Sequence, residues 1–463
     1  MTICSNIVVC VCFSNVLTTF FGSMVFPCFS FGFEKPKTLS IIVFLNPSLS
    51  SQMKTATTES ISYRPLVSLP VIVAALGYFV DVYDLLVFNI VRVPSLKELG
   101  LSADEVSFIG SRIYNWQQVG LLIGGILWGV LGDKRGRLSV LFGSIITYSV
   151  ANILCGFVQS PNMYALLRFV AGVGLAGELG AGLTLISEIL PQKLRGYGSS
   201  IVASVGLLGA IVAFLTNNLF DWRTTYFVGG GMGFVLLLLR IGVFESGMFE
   251  MAKKQNVKRG NILSFLTDRQ RFWKYLRCIG IGVPTYFVIG ILATFSNEFG
   301  KALGISEEIE VGRCVMYVYV GTAVGDIFSG LLSQWVHSRK IAILVMTTMT
   351  LVGIVYYLYG GINSAQHLYW TGAYLGFSIG YIAMFLTATA ESFGTNLRAT
   401  ATSTVANFVR ATTLLTLPVF QYLKPSLGVL NAAGLLALIC FGIAYLSLYL
   451  MEETFHKNLD YVE

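Results

Sequence analysis

Apolar residues along this chain are gathered into long runs, and short polar segments separate the runs. A helix needs about 20 predominantly apolar residues to cross a hydrocarbon core about 30 Å thick, and runs of that order recur from residue 66 onward. The pattern predicts an all-α membrane protein with twelve transmembrane helices. The predicted spans are residues 66–90, 110–132, 138–158, 163–189, 197–218, 224–243, 276–298, 313–335, 341–360, 367–390, 403–423 and 427–450.

The composition agrees with a chain whose surface faces lipid. Hydrophobic residues make up 55% of the sequence and charged residues 12%, whereas a soluble domain carries about 25% charged residues. The net charge of +7 does not indicate nucleic-acid binding, because the basic residues cluster in short loops. The eight cysteines form no CxxC pair, and the three histidines lie at run ends or in loops. We therefore expect no metal site, no cofactor and no enzyme activity.

Basic residues are concentrated in alternate loops between the predicted spans. Eight of them fall between residues 245 and 277, and others follow the second, fourth, eighth and tenth spans. The positive-inside rule places these loops, and both termini of the twelve-span core, in the cytoplasm. The only Asn-x-Ser/Thr match, at Asn46, has a proline at its middle position. This absence of a usable glycosylation site favours a bacterial protein of the inner (cell) membrane.

The twelve spans are expected to form two halves joined by the charged loop. The predicted divisions are an N-terminal extension and cytoplasmic start (1–64), an N-terminal six-helix half (65–243), a cytoplasmic linker (244–275), a C-terminal six-helix half (276–452) and a cytoplasmic tail (453–463). Residues 1–52 fit this scheme poorly, because their weak apolar run lacks the basic start of a signal peptide. A misassigned start codon, with Met53 as the true start, and an additional membrane anchor are the two interpretations.

Two features recur at nearly the same offset along the chain. The segment "GVLGDKRGRLS" at 129–139 has a degenerate echo, "GLLSQWVHSRK", at 330–340, shifted by 201 residues. The Glu188 and Arg195 pair recurs as Glu391 and Arg398, with the same spacing and a shift of 203 residues. Two unrelated features with nearly the same offset indicate a parallel repeat of two six-helix units, as found in one class of transporters.

These residues resemble the major facilitator superfamily over positions 65 to 452. The "GVLGDKRGR" segment is similar to the loop motif between the second and third helices of that family, and "RFVAGVGLAGE" at 168–178 is similar to its fourth-helix motif. The Glu/Arg pairs resemble the sugar-porter and metabolite–proton symporter branches. The "DVYD" of the first span resembles phosphate and organic-anion proton symporters. The resemblance implies a major facilitator fold that works by alternating access.

The loop motif and the Glu/Arg pairs are expected to control gating. Asp133 can accept hydrogen bonds from the N–H groups of the following helix or pair with Arg137, while glycines permit close approach and a tight turn. The resemblance implies that this contact breaks when the halves move. A plain positive-inside loop is the alternative, which explains the bases but not the aspartate. The expected gating residues are Gly129, Asp133, Gly136, Arg137, Glu188, Arg195, Glu391 and Arg398.

Charged residues inside the spans are costly and therefore indicate function. Asp81 and Asp84 are three residues apart, on one helix face, and two nearby carboxylates resist double ionisation, so one should hold a proton. We predict that one of them couples transport to protons. The alternatives are pairing with an arginine or a position at the outer water interface.

Arg168 and Arg410 lie in different halves and are the candidate ligands of an anionic substrate. Arginine keeps its charge and binds carboxylate or phosphate through two hydrogen bonds. In the alternative interpretation, each is neutralised by a neighbouring acid such as Asp81, Asp84, Glu178 or Asp326. Weaker substrate-binding candidates, for which helix packing is the favoured alternative, are Gln117, Gln118, Tyr286, Tyr374 and Asn407. Pro284 is expected to kink the seventh span.

The sequence predicts a secondary active transporter, a monomer that imports a small polar or anionic metabolite together with protons. The fifth span lacks the glycine-proline motif that drug/proton antiporters of the major facilitator superfamily carry. The sequence also contains no nucleotide-binding loop, which argues against ATP as the energy source. A polyspecific exporter of the same fold is the first alternative. The second is a membrane sensor without transport, which is disfavoured because no long hydrophilic output domain is present.

Overall fold

A computed structural model describes residues 64–135, 137–176, 190, 195–245, 268–394 and 397–455. These residues are helical or form short turns, and none of them lies in a β-strand. All of them belong to one compact unit, Ser62–Glu463. The predicted extension at 1–52 lies outside the described residues.

The described residues of the first half form six helices, and a short 3-10 turn at Arg64–Val67 precedes them. They are α1 (Leu69–Glu98), α2 (Ala103–Arg135), α3 (Arg137–Cys155), α4 (Pro161–Leu175), α5 (Arg195–Leu219) and α6 (Trp222–Glu245). The described part of α4 begins with Ser160, whose side chain accepts a hydrogen bond from Met163 N, followed by Pro161. A serine is favoured before the first helical residue because its oxygen accepts a hydrogen bond from a free backbone N–H of the first turn. A proline is favoured at the first helical position because it has no N–H that would be left unsatisfied there.

The second half contains helices that are interrupted within the spans. They are α7 (Arg269–Phe287), α8 (Ser296–Ala302), α9 (Val311–Val336), α10 (Arg339–Tyr359), α11 (Ala365–Ile379), α12 (Ile382–Ser392), α13 (Arg398–Ala411) and α14 (Thr413–Leu450). A π-helical segment, Val288–Ala293, continues α7 three residues after Pro284. Gly428 has a φ of 77° and divides α14 into two parts, which correspond to the predicted eleventh and twelfth spans.

Length and apolarity qualify seven helices among the described residues for crossing a membrane, and two shorter apolar helices accompany them. One of the seven, Thr400–Leu450, extends over 51 residues and therefore contains more than one span. The predicted all-α membrane fold is confirmed. Several helices are longer than their apolar runs: α1 continues to Glu98, α2 starts at Ala103, and α7 starts at Arg269 within the predicted linker. Hydropathy marks only the part of a helix inside the hydrocarbon, so polar ends escape it.

Equivalent helix pairs in the two halves show the repeat. In the first half α1 packs on α5 and α2 on α4, and in the second α7 packs on α13 and α9 on α11. Gly120 leaves no room for a Cβ against Phe169 O of α4, and Gly321, 201 residues later, leaves none against Ala373 O of α11. Small residues at such crossings let helix backbones approach closely. The offset matches that of the sequence echo.

Among the described residues, four helix pairs carry most of the contact between the two halves. Helix α5 contacts α9, α2 contacts both α13 and α14, and α1 contacts α9. Near the middle of the α2–α13 contact, Asn407 Nδ2 lies 3.3 Å from the position that a Cβ on Gly125 would occupy. Side chains on α1, α2, α7, α9 and α13 can therefore form a site to which both halves contribute.

Candidate functional site

Arg410 lies on α13 where the two halves meet. Its side chain is 7% exposed, and its Nε donates a 2.8 Å hydrogen bond to the hydroxyl of Tyr286 on α7. It also interacts electrostatically with Asp81 and Tyr78 of α1. Asp81 is itself 2% exposed. The structure thus brings together two predicted substrate ligands, Arg410 and Tyr286, and one of the two predicted proton carriers.

Three tyrosines that sequence reasoning missed complete this group. Tyr319 of α9 interacts with Tyr78, Tyr114, Tyr286 and Arg410, and Tyr114 of α2 interacts with Tyr286 and Arg410. The one signal in the sequence that could have identified two of them is spacing. Tyr78 precedes Asp81 by three residues and Tyr114 precedes Gln118 by four, so each tyrosine shares a helix face with a predicted site residue. We call the set the Arg410 cluster: Arg410, Asp81, Tyr78, Tyr114, Tyr286 and Tyr319.

Amide side chains around the Arg410 cluster carry buried acceptor oxygens. Asn89 Oδ1, Gln118 Oε1 and Asn407 Oδ1 have no hydrogen-bond partner among the described residues, and Tyr114 lies beside both Asn89 and Gln118. A buried acceptor without a partner costs about 1–3 kcal/mol. Such groups are normally satisfied by ordered water or by a ligand. These oxygens are therefore suited to bind polar atoms of a substrate or water molecules around it.

Arg168 lies in a separate group within the first half. Its Nη1 donates to Asn152 Oδ1 of α3 at 2.8 Å, and its Nη2 donates to the backbone oxygen of Asp84 at 2.9 Å. The guanidinium lies 5.6 Å from the ring centroid of Tyr226 on α6. We call Arg168, Asp84, Asn152 and Tyr226 the Arg168 cluster. Arg168 and Arg410 do not lie side by side, and each arginine has an acid of α1 near it.

Asp81 and Asp84 therefore differ in their surroundings, although three residues separate them. Asp84 is fully buried beside Arg168, and neither of its carboxylate oxygens has a hydrogen-bond partner among the described residues. Asp81 interacts with Arg410 of the opposite half. The shared face that the spacing predicts is present, but the two carboxylates face different arginines. Only Asp81 belongs to the group formed by both halves.

The remaining predicted ligands are not brought into either cluster by a direct contact. Gln117 is buried and donates through Nε2 to Leu85 O at 3.3 Å, which joins α2 to α1. Tyr374 is 38% exposed, and its hydroxyl donates to Met349 O of α10. It packs between α10 and α11, because its helix presents this face to α10 and not to α7 or α13. Asp326 accepts from Ala383 N at the start of α12, and Glu178 lies outside the described residues.

Most of the expected gating side chains also lie outside the described residues, namely those of Gly129, Asp133, Gly136, Arg137, Glu188, Arg195 and Arg398. Glu391 is described, and its carboxylate pairs with Arg339 of α10, Nη2 to Oε1, at 3.1 Å. Thr454 donates to the other Glu391 oxygen at 2.8 Å. The degenerate second copy of the loop motif therefore supplies Arg339 as a partner of Glu391.

The chain after α14 returns to this contact. Glu453 accepts hydrogen bonds from the Ser338 hydroxyl and from the backbone N–H of Arg339 at the start of α10. Partial burial opposes ionisation, but these hydrogen bonds outweigh it and hold the pKa of the Glu453 carboxyl below its usual value. A carboxylate at a helix N-terminus is stabilising. The stabilisation is complete above the usual glutamate pKa and is lost as the pH falls through the lowered pKa.

We expect Glu453→Gln to reduce stability at neutral pH by about 0.5–1 kcal/mol, because an exposed charge at a helix end is partly screened. The thermal midpoint in detergent should fall by about 1–3 °C. The difference from the wild type should shrink as the pH is lowered through the glutamate range. Glu308→Gln, which changes an almost fully exposed glutamate, is the control and should leave the midpoint unchanged. Equal midpoints for the wild type and Glu453→Gln would contradict this role.

At the end of the bundle opposite the basic loops, a buried arginine joins the halves. Arg92 of α1 is fully buried, and its Nη2 donates to Thr294 O at 2.8 Å, immediately after the π-helical segment. Its guanidinium lies 4.1 Å from the centroid of the Phe295 ring. A cation over an aromatic ring in a desolvated setting contributes about 2 kcal/mol. The interruption of α7 therefore supplies both groups that hold Arg92.

A second contact lies at the same end. Lys424 of α14 donates to Ser107 of α2 and to Glu298 of α8, both at 2.8 Å. The Lys424 and Glu298 side chains are 21% and 16% exposed, so their attraction is less screened than that of a surface pair. We call Arg92, Ser107, Thr294, Glu298 and Lys424 the outer network. It connects α1 and α2 of the first half to α7, α8 and α14 of the second.

Comparisons with known proteins agree with this architecture. The chain is 29% identical over 406 residues to a putative metabolite transport protein of Haemophilus influenzae, covering 84% of this chain and 96% of the relative. It is 26% identical over 379 residues to a gentisate transporter of Corynebacterium glutamicum, covering 77% and 80% respectively. A crystal structure of a D-xylose–proton symporter aligns with a TM-score of 0.61 at 16% identity, over 86% of this chain and all of that chain.

The family model of the Major Facilitator Superfamily matches residues 74–416, which is most of the chain and extends over the first half and into the eleventh span of the second. This confirms the resemblance that the loop motif and the fourth span indicated. The relatives are transport proteins, and the expectation of no enzyme activity is confirmed as well. The chain belongs to the Major Facilitator Superfamily and is a multi-pass membrane transport protein.

Proposed function

We propose that the protein imports a small aromatic carboxylate together with a proton. The observation that carries this proposal is the Arg410 cluster, in which one buried cation donates a hydrogen bond to Tyr286 and interacts electrostatically with three further tyrosines from both halves. A guanidinium binds a carboxylate through two charge-assisted hydrogen bonds. Tyrosine rings supply flat apolar faces, and their hydroxyls supply hydrogen bonds at the edges. Gentisate, which the Corynebacterium glutamicum relative is named for, is itself an aromatic carboxylate.

The single cation favours a monocarboxylate over a dicarboxylate. Arg168 lies in the first half, and its two terminal nitrogens donate to Asn152 and to the Asp84 backbone. A second carboxylate near Arg410 would therefore face Asp81 without a further arginine of the described residues to balance it. Burying an unbalanced charge is strongly unfavourable. The buried amide oxygens of Asn89, Gln118 and Asn407 are better suited to hydroxyl groups on a ring.

Asp81 supplies the coupling between substrate and proton. Without substrate, its carboxylate balances Arg410 across the two halves. A bound substrate carboxylate takes over that role, and two carboxylates beside one guanidinium repel each other. Protonation of Asp81 removes the repulsion, so the anion and the proton bind together. The other ionisable groups near this position are Tyr78, Tyr286, Asp84 and Asp326, and none of them adds a second positive charge.

Alternating access follows from the outer network. In this conformation Arg92 and Lys424 join the halves at the end that the positive-inside rule places outside. Outward opening must break these contacts, and inward opening must break the contacts at the opposite end. Loading of the substrate anion alone leaves an extra negative charge where the halves meet, whereas loading of both the anion and the proton keeps that position balanced. The balanced, loaded site is then free to pass through the closed state.

Uptake into liposomes made with the purified full-length protein tests the proposal. With the outside more acidic than the inside, labelled benzoate and gentisate should accumulate, and a protonophore should abolish the accumulation. Protein-free liposomes set the background of the neutral acid that crosses the bilayer by itself, and accumulation must exceed that background; labelled glucose is the second control and should not accumulate. Outward movement against the proton gradient, or binding of benzoate without any flux, would overturn the proposal and favour the exporter or the sensor.

Competition by three related compounds should separate the two recognition elements. Benzoate should inhibit uptake best. Benzamide keeps the ring and loses the charge, so its inhibition constant should be about 10–100-fold weaker. Cyclohexanecarboxylate keeps the charge and loses the aromatic face, so its constant should be about 3–10-fold weaker. Equal inhibition by benzoate and benzamide would contradict carboxylate binding by Arg410.

A further inference from the structure

A cavity lies at the end of the bundle that carries the basic loops, away from the Arg410 cluster. Its volume is about 420 Å³, and it is lined by residues of α7 together with Ser392 at the end of α12 and Met451 just after α14. It is therefore enclosed by the ends of three membrane helices. This position corresponds to the level of lipid headgroups on the side that we propose is cytoplasmic.

The wall that α7 contributes is strongly basic. Arg269, Lys274 and Arg277 all line the cavity, and Glu452 is the acid opposite them. Lys274 and Arg277 are three residues apart and therefore lie on one face of α7, and Arg269 is the first residue of the helix. Arg277 is held in place by a 3.0 Å hydrogen bond from Nη1 to Leu450 O. Its buried Nε has no hydrogen-bond partner among the described residues. The cavity thus has a net positive wall with a donor left to bind an anion.

The other lining residues indicate a lipid and not a free anion. Trp273 lines the cavity between the cations and is 51% exposed, and tryptophan side chains are enriched where a membrane meets water. Cys278 and Met451 supply an apolar part of the wall. A site for inorganic phosphate needs cations but no apolar wall or interfacial tryptophan. A phospholipid needs all three, and basic pockets between helix ends on this side are typical headgroup sites.

We propose that this cavity binds the headgroup of an anionic phospholipid from the surrounding leaflet. Arg269, Lys274 and Arg277 bind the phosphate, and Trp273 packs along the glycerol and the upper acyl chain. The bound lipid connects α7 to the ends of α12 and α14. The site is independent of the substrate that the Arg410 cluster binds.

Native mass spectrometry of the full-length protein in mild detergent, titrated with phosphatidylglycerol or phosphatidylcholine, measures this binding. The wild type should bind phosphatidylglycerol at least tenfold more tightly than phosphatidylcholine. Arg269→Gln with Lys274→Gln should weaken phosphatidylglycerol binding about 25-fold, as expected for two interfacial cations. Lys97→Gln with Arg112→Gln removes the same charge at the opposite end and should leave the binding unchanged.

Further variants keep the test decisive if the double variant folds poorly. Arg277→Lys keeps the charge but loses the planar guanidinium, and Arg269→Gln alone changes only the first residue of α7. Each should fold and lose part of the lipid preference. Equal binding of both lipids would overturn the proposal, as would the same affinity in the variants and the wild type. Thermal stabilisation by inorganic phosphate equal to that by phosphatidylglycerol would show a free-anion site and would overturn it too.

Discussion

Replacing Asp81 by asparagine should abolish uphill uptake while exchange continues. Asparagine keeps the shape of the side chain but carries no proton and cannot balance Arg410. Arg410 then remains available to a substrate carboxylate at every pH. Accumulation driven by a pH gradient should fall to the equilibrium level, with a loss of at least about 100-fold in the concentration ratio. Counterflow of labelled for unlabelled benzoate should remain within about threefold of the wild-type rate.

The matched control is Asp84→Asn, which makes the same chemical change three residues further along α1. Asp84 lies beside Arg168 within the first half, so its loss leaves the electrostatic interaction of Asp81 with Arg410 unchanged. We expect this variant to keep concentrative uptake, with a reduced rate because a buried arginine loses its neighbouring acid. The opposite pattern would assign coupling to Asp84. If both variants still concentrate the substrate, neither aspartate couples transport to protons.

Arg410 should behave differently from both aspartates. Arg410→Gln removes the charge that binds the carboxylate, and the Michaelis constant for benzoate should rise about 10–100-fold. Arg410→Lys keeps the charge and loses the two-point geometry, so it should fall between the wild type and glutamine. The double variant Asp81→Asn with Arg410→Gln restores charge balance and should fold better than Arg410→Gln alone. An unchanged Michaelis constant in Arg410→Gln would remove this residue from the binding site.

The second large effect is expected at the outer network. Arg92→Gln removes a hydrogen bond to Thr294 O and the contact with the Phe295 ring. Both are contacts between halves, and together they contribute about 2–4 kcal/mol. Their loss should increase the outward-open population about 30–900-fold and should slow the complete transport cycle. Lys424→Gln, which loses contacts with Ser107 and Glu298, should act in the same direction.

A cysteine at Ser296 can report this opening. Ser296 is fully buried at the start of α8, beside the residues that hold Arg92. In the Ser296→Cys background, a membrane-impermeant maleimide should react at least tenfold faster when Arg92 is replaced by glutamine. The parent chain without Ser296→Cys measures the background of the native cysteines.

Lys97→Gln is the control for the outer network. Lys97 and Glu308 are 3.9 Å apart and largely exposed, and such pairs contribute little. The Ser296→Cys chain that also carries Lys97→Gln should react with the maleimide at a rate within twofold of that of the chain with Ser296→Cys alone. Equal rates for Arg92→Gln and this control would show that the outer network does not hold the halves together.

The sequence by itself determined the membrane class, the family and the order of the spans. Each depends on local features: the length of an apolar run, the spacing of a loop motif, or a repeat offset. Sequence also selected Asp81, Asp84, Arg168 and Arg410, because a charge within an apolar run is costly wherever its helix packs. The sequence predicted the helix ends less well, because the polar end of α1 and the polar start of α7 carry no hydropathy signal.

Only the tertiary structure decided which acid faces which arginine. Two residues that are three positions apart on a helix are separated by about 60° of rotation, so Asp81 and Asp84 share a broad face. Small differences in helix packing direct them to different partners. The same rotation brings Tyr78, Tyr114 and Tyr319 to Arg410 and directs Tyr374 towards Met349. It also joins Arg92 to Thr294 and Glu391 to Arg339. Contacts between distant helices depend on their relative rotation and depth, which no local pattern in one sequence specifies.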